Sequence, residues 1–437
     1  MMKNKIFHNA EWILVCKIVQ ALIQFVVGVL TARYLGPANY GLINYAASVV
    51  AFFTPLMELG LRNTLVQEYV TSPKREGEIM CTSLLLNLVS AVACMVGATA
   101  FVAVANPNDG MTLWVCTLYS LTLLTQAFEM LQFWFQAKLI SKYSSLAMLG
   151  AHAVMSAYKI YLLASGKNVM WFALSHAVEY GVAGILLLWA YKRKGQYKLQ
   201  FSLPLAKEML RKSRYYIIAS LLVVLYARVA NLILMQQYGE VETGYYAAAS
   251  TCTCIAGFVF DAIIDTARPV VLSSQSRSME AFEQNVSRVY AIISWLAIAQ
   301  GVAFTIFAEL IVRMLYGDDF LPAVPVMQIL GWSWVFSRMG TVRDIWILGT
   351  NNHRFLWIIN LSGAIASILI NLLFVPLWGA CGAAIACVLA QLFTNVIMGY
   401  IIKEIRPNNR LLLKGMNPKL LIDLIGQFLK TFRQREN

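Results

Sequence analysis

An all-α membrane protein that crosses the bilayer about twelve times is the fold class this sequence predicts. Three observations carry that expectation. Apolar residues make up 59% of the 437-residue chain and charged residues only 13%, whereas a soluble domain is nearer ~25% charged. The apolar residues gather into runs long enough to span, since about 20 helical residues cross the hydrocarbon core. The Lys and Arg residues crowd onto alternate connections between those runs. A chain that cannot coat itself with polar groups has lipid as its solvent. There every backbone donor and acceptor must be satisfied within its own segment, which selects helices.

The runs, in order, are Trp12–Ala32, Tyr40–Gly60, Ile79–Ala105, Met111–Phe135, Tyr143–Ala164 and Val169–Tyr191. After a basic loop come Tyr215–Gln237, Gly244–Val271, Val286–Leu315, Val324–Leu348, Phe355–Val375 and Gly379–Ile402. The first follows Lys3, Lys5 and His8 and meets no small-residue cleavage site, so it is expected to stay as a helix rather than be removed. Pro55, Pro269 and Pro325 fall inside runs, where membrane helices tolerate them.

With the N-terminus in the cytoplasm, most of the 35 Lys and Arg residues lie on that side, and only Arg33, Lys167 and Arg313 lie opposite. This is the positive-inside pattern. It supports the count of spans, places both termini in the cytoplasm, and explains the +13 net charge without a nucleic-acid partner. The expected organisation is an N-terminal lobe over residues 1–191, a basic cytoplasmic loop over 192–214, a C-terminal lobe over 215–403 and a cytoplasmic tail over 404–437. Leu203–Arg214 is amphipathic. So is the tail, where Leu420, Leu421, Leu424, Ile425, Phe428, Leu429 and Phe432 share a face. Both read as helices lying against anionic headgroups.

The two lobes resemble each other. Leu35-Gly36-x4-Gly41 recurs as Tyr238-Gly239-x4-Gly244; at the same spacing Glu58 aligns with Asp261, and Arg62 with Asp265. Farther on, Trp134 and Lys142-Tyr143 recur as Trp346 and Arg354-Phe355. Ordered matches of this kind indicate a duplicated six-helix bundle. Six is even, so both copies enter the membrane in the same sense, an arrangement that places a substrate between rocking halves.

Several classes are excluded. Cys16, Cys81, Cys94, Cys116, Cys252, Cys254, Cys381 and Cys387 sit in apolar runs and make no metal-ligand spacing. His8, His152, His176 and His353 show no acid–base pairing at motif spacing. No catalytic residue, metal site or cofactor is expected; the short outer connections offer no large catalytic surface, which leaves a membrane polysaccharide polymerase or acyltransferase as the more distant alternative.

The stretch ARYLGPANYGLINYAASVVAFFTPLMELGLRNTLVQEY, Ala32 to Tyr69, and its second copy QYGEVETGYYAAAS resemble the polysaccharide repeat-unit flippases. These are the O-antigen and exopolysaccharide (Wzx-type) transporters of the multidrug/oligosaccharidyl-lipid/polysaccharide exporter superfamily. Span count, two-lobe repeat and basic middle loop extend the resemblance over nearly the whole chain. It implies a MATE-like fold in a bacterial inner membrane. The implied substrate is an undecaprenyl-pyrophosphate-linked oligosaccharide, moved from the cytoplasmic to the periplasmic leaflet by alternating access without ATP. An H+ or Na+ gradient would drive it, with a polysaccharide polymerase and a chain-length regulator as neighbours. Two departures stand out. Drug-exporting relatives carry an acidic residue in helix one, where this chain has Lys17 and only Glu11 at the edge. Peptidoglycan-precursor flippases carry two further helices. An ion-coupled drug or metabolite antiporter is the nearest alternative.

A charge at mid-bilayer costs about 2.5–3.5 kcal/mol on insertion scales, so each one there calls for a role. Lys17, Lys159, Arg228 and Arg338 are candidates for a basic cavity that holds pyrophosphate, because guanidinium and ammonium groups match phosphate oxygens. Arg343 beside Asp344 reads as a packing pair. Glu58, Asp261, Glu129 and Glu179 are candidates for ion coupling or for partnering those cations. Gln24, Asn44, Tyr45, Tyr226, Asn231, Tyr245 and Tyr246 could meet sugars.

Overall fold

The computed structural model describes residues 2–195, 199–255, 257–424 and 426, with side chains described from Cys16 onward except at Asn63 and Ile255. Helices account for nearly all of it, and no strand occurs among the described residues. The helices are α1 (Met2–Met57), α2 (Leu65–Thr71), α3 (Glu76–Ala105), α4 (Gly110–Gln126), α5 (Leu131–Ala137), α6 (Ser141–Ala164) and α7 (Val169–Lys194). They continue as α8 (Leu203–Ile255), α9 (Gly257–Gln275), α10 (Met279–Leu315), α11 (Ala323–Gly349), α12 (Arg354–Leu392), α13 (Met398–Ile401) and α14 (Arg406–Gly415). Among the described residues eight helical stretches are long and apolar enough to cross a membrane. The protein is therefore a multi-pass membrane protein.

Three helices contain a break where the sequence predicts a connection between spans. α1 leaves helical geometry at Gly36 (φ 72°), α8 at Gly239 (φ 77°) and α12 at Trp378 and Gly379. Gly36 and Gly239 are equivalent in the repeat. Both lie in the positive-φ region that only glycine enters without a Cβ clash. Elsewhere side chains begin the helices: Asp109 accepts from the Thr112 N–H (3.0 Å) and Ser278 from that of Ala281 (3.1 Å), each satisfying an orphan donor of the first turn.

Packing divides the chain into two compact units, Met1–Gly244 and Tyr245–Asn437. Unit one has a core at each end of its bundle. One gathers Leu42, Tyr45, Val49, Val102, Val115 and Phe172. The other gathers Leu61, Leu65, Tyr69, Leu131, Trp134 and Leu187. In unit two, Phe260, Phe282, Tyr290, Val342, Trp346 and Ile359 share one core.

Two elements depart from the sequence reading. The amphipathic Leu203–Arg214 does not lie against lipid with its apolar face. It forms the first turns of α8 and buries Leu205 and Met209 in the second core of unit one. Lys212 secures it through Glu68 and Glu208, each at 2.8 Å. The reason is complementarity: that core presents an apolar rim with a buried carboxylate beside it, a better partner than headgroups. In the tail, α14 folds back onto α10, where Tyr290 donates to Asn408 (3.0 Å) and Asn409 donates to the Val396 carbonyl (2.9 Å). Ile425, Phe428, Leu429 and Phe432 of the proposed amphipathic tail lie outside the described residues.

The repeated turns meet each other within unit one. A methyl group added at Gly41 would run into the Glu240 carbonyl, and one added at Gly244 would run into the Pro37 carbonyl. Those are reciprocal contacts, because Glu240 occupies in the second copy the place of Pro37 in the first. The duplicated motif therefore packs against its own copy about a local two-fold relation, and glycine at both places lets the backbones close.

Candidate functional site

Polar and charged groups on the helices of unit one fall into three places. In the first, α1 and α8 are tied by hydrogen bonds. Asn231 donates to Ser48 (2.9 Å), and Gln236 donates both to the Tyr45 hydroxyl (3.3 Å) and to Asn106 (3.2 Å). Asn106 in turn donates to Tyr45 (2.9 Å). Asn44 donates back to the Tyr40 carbonyl (2.9 Å). Of the sugar-contact candidates, Tyr45 and Asn231 are buried in this network, Asn44 and Tyr226 are half-buried, and Gln24 is exposed. In unit two, Tyr245 is half-buried against Phe320 and Tyr246 is buried.

The second place is ionic. Glu179 of α7, nine-tenths buried, lies between two bases of α6: His152 Nδ1 contacts one carboxylate oxygen, and Lys159 Nζ lies 3.5 Å from the other. One turn earlier on α7, His176 packs on the Tyr119 ring of α4 with centroids 4.8 Å apart. Glu129, on the turn after α4, accepts from Gln126 (3.4 Å), while Glu58 pairs with Arg62 (3.4 Å). His152 and Lys159 stand seven residues apart on one helix face, and His176 and Glu179 three apart on another. The faces are readable from sequence, but their meeting is not, so His152 and His176 escaped the sequence reading.

In the third place, the cations Lys17 and Arg228 are exposed. Neither forms an ion pair among the described residues. Beside the helix of Arg228, Val49, Phe52, Phe53, Leu56, Phe101, Leu221 and Leu232 line an open apolar pocket of about 240 Å³.

Unit two holds its charges differently. Arg338, buried, pairs with Asp261 and lies over the rings of Trp334 (4.5 Å) and Phe260 (5.4 Å). Arg343, also buried, pairs with Asp344 (2.9 Å) and donates to the Thr394 carbonyl (2.9 Å), the packing role expected of it. The repeat-equivalent acids therefore have unlike partners: Glu58 faces an exposed Arg62 on its own turn, whereas Asp261 reaches an arginine of another helix.

A family model described as "Polysaccharide biosynthesis protein" matches residues 30–325. The chain belongs to this family. A relative, the capsular polysaccharide biosynthesis protein CapF of Staphylococcus aureus, is 20% identical over 407 residues, covering 91% of this chain and 99% of that one. Among solved structures, the lipid II flippase MurJ in an inward closed conformation matches with a TM-score of 0.72 at 14% identity, over 95% of this chain and 92% of that one. An inward-facing multidrug resistance MATE transporter of the MOP superfamily matches with a TM-score of 0.69 at 15% identity, over 90% and 96%. This polysaccharide biosynthesis protein thus has the fold of the MATE and MurJ transporters, as the resemblance in its first two helices implied.

Proposed function

We propose that the protein is a flippase, not an enzyme, and that it moves an undecaprenyl-pyrophosphate-linked oligosaccharide from the cytoplasmic to the periplasmic leaflet of a bacterial inner membrane by alternating access. The observation that carries this reading is the family match across residues 30–325, on a chain whose fold is that of membrane transporters. In this reading the chain has twelve spans in two lobes, residues 1–191 and 215–403, with the loop 192–214, the tail 404–437 and both termini in the cytoplasm. An O-antigen or another surface polysaccharide would be the product, and a polymerase and chain-length regulator would receive it.

The chemistry supports the assignment. Pyrophosphate cannot cross hydrocarbon without matched positive charge. Lys17 and Arg228 are exposed cations on membrane helices, free of carboxylate partners among the described residues, and so available to a phosphate. The apolar cavity beside α8 suits a polyprenyl chain. Lys159 and Arg338 already hold carboxylates, so a phosphate would have to displace Glu179 or Asp261 to reach them.

Deleting the gene and quantifying lipid-linked oligosaccharide on each leaflet tests the proposal. Single repeat units should build up on the cytoplasmic leaflet while surface polymer disappears. Arg228→Ala should cut export while leaving membrane insertion intact, with partial rescue by Arg228→Lys. Normal polymer output from a well-expressed Arg228→Ala would remove Arg228 from the substrate path. The MATE likeness favours a drug antiporter as the second reading, which increased drug resistance on expression would support.

A further inference from the structure

Where α6 begins and α7 ends, unit one presents a surface built of cations and aromatic rings. The last turns of α7 bury Leu187, Ala190 and Tyr191, and Tyr191 meets the Trp134 ring edge-on with centroids 5.0 Å apart. That contact fixes which way the helix faces. Ile185, Trp189 and Arg193 recur at every fourth position and form an exposed stripe. The Arg193 guanidinium stacks on the Trp189 ring at 3.8 Å, and Lys194 reaches over the Tyr143 ring of α6 at 5.1 Å. The two helix ends therefore share one surface. It is apolar at Ile185 and Leu146, aromatic at Trp189 and Tyr143, and cationic at Lys192, Arg193 and Lys194, all of them exposed.

The acids on neighbouring segments are already engaged. No Asp or Glu occurs in residues 130–178 or 180–207. Glu76 accepts from Trp134 and pairs with Lys138, Glu78 pairs with Arg75, and Glu208 pairs with Lys212. Lys192, Arg193 and Lys194 form no ion pair among the described residues. Unit two shows the same place neutralised. At the spacing that relates Trp134 to Trp346 and Lys142 to Arg354, Lys192 aligns with Glu404 and Lys194 with Arg406. There Arg354 lies over the Phe355 ring at 4.7 Å and 3.9 Å from Glu404, while Arg406 donates to the Tyr400 carbonyl (2.7 Å). Unit two supplies its own acid, and unit one has a lysine at that position. The α7 macrodipole favours cations in its last turn, which accounts for their sign but not for the aromatic rings set beneath them.

We propose that this surface binds an anionic phospholipid of the bilayer, whose phosphate gives unit one the negative charge that Glu404 gives unit two. The order of groups along α7 is that of a lipid. Ile185 meets hydrocarbon, Trp189 sits at the interface where Trp and Tyr gather, and Arg193 reaches the phosphate. From Ile185 to Arg193 the helix rises about 12 Å at ~1.5 Å per residue, the step from acyl chain to headgroup. A guanidinium stacked on an indole keeps its N–H edge for phosphate oxygens. Basic clusters at the ends of membrane helices attract anionic headgroups, each Lys or Arg raising the affinity about five-fold. The site needs a bilayer and not a transported substrate, so it stands apart from the flippase reading.

The test uses the full-length protein in an uncharged detergent, with native mass spectrometry counting the lipids bound from an equimolar mixture of dioleoylphosphatidylglycerol and dioleoylphosphatidylcholine. The wild type should retain phosphatidylglycerol in preference. Arg193→Gln and Lys194→Gln should each lower that preference about five-fold, and the double variant about twenty-five-fold. Lys192→Glu, which gives unit one the acid of unit two, should lower it at least as far as either single variant. Arg354→Gln should leave it unchanged. All four side chains are exposed, and size-exclusion profiles check that each variant keeps its fold. A wild type without the preference, or a preference that survives both Lys192→Glu and the double variant, overturns the proposal. So does competition by millimolar inorganic phosphate, which would mark a free-anion site. Displacement of phosphatidylglycerol by an equal concentration of undecaprenyl phosphate would assign the surface to a carrier lipid and overturn the phospholipid assignment.

Discussion

The two units bury charge in opposite ways. In unit one a carboxylate lies at the centre and bases flank it, one of them an imidazole. In unit two the buried groups are guanidiniums, Arg338 laid over Trp334 and Arg343 tied to the Thr394 carbonyl, while Asp261 and Asp344 keep about half of their side-chain exposure. Guanidinium remains charged at any physiological pH and tolerates burial on aromatic faces. The comparison teaches that unit one buries an acid and satisfies it with bases from a neighbouring helix, whereas unit two buries bases and leaves their acids half exposed.

Substitutions can break that contrast, and the size of each effect follows from burial. Glu179→Ala should be the most damaging. It strands Lys159 and His152 beside each other inside the bundle, and removing one partner of a buried pair costs about 3–5 kcal/mol. Thermal unfolding in detergent should show a large loss of stability. A loss no greater than that of an exposed pair would mean that Glu179 is not held between these two bases. Arg338→Lys keeps the charge but gives up the flat stack on Trp334 and Phe260, a loss of about 1–2 kcal/mol, and the same unfolding assay should show no dependence on pH in the neutral range. Arg313→Ala breaks two exposed pairs, with Glu309 at 3.3 Å and with Asp318 at 3.5 Å, and should change stability by about 1 kcal/mol or less. A larger effect would mean that Arg313 has a contact beyond those pairs.

The candidate site was legible only in part. Lys159, Arg338, Glu179 and Asp261 stood out because a charge in an apolar run is conspicuous. Their pairing did not, since it depends on how α6 is rotated against α7 and α9 against α11. His152 and His176 were passed over because their spacing along the chain matches no motif; the acid that meets His152 sits on the next helix. The amphipathic stretch Leu203–Arg214 was recognised, yet its periodicity is the same whether lipid or protein covers the apolar face.

By itself the sequence determined the membrane class, the helical runs and the internal repeat. These are properties of composition and local periodicity, which do not need to know what lies across the bundle. It also singled out Gly36 and Gly239, whose positive φ the structure shares between the two copies. Only the tertiary structure decided that the two turns close on each other, Gly41 against the Glu240 carbonyl and Gly244 against that of Pro37. Only it decided that Glu179 is shared between His152 and Lys159. The reason is common to both: contacts between helices are set by rotation and approach distance, and a few missing atoms on glycine or one turn of helix changes which groups meet.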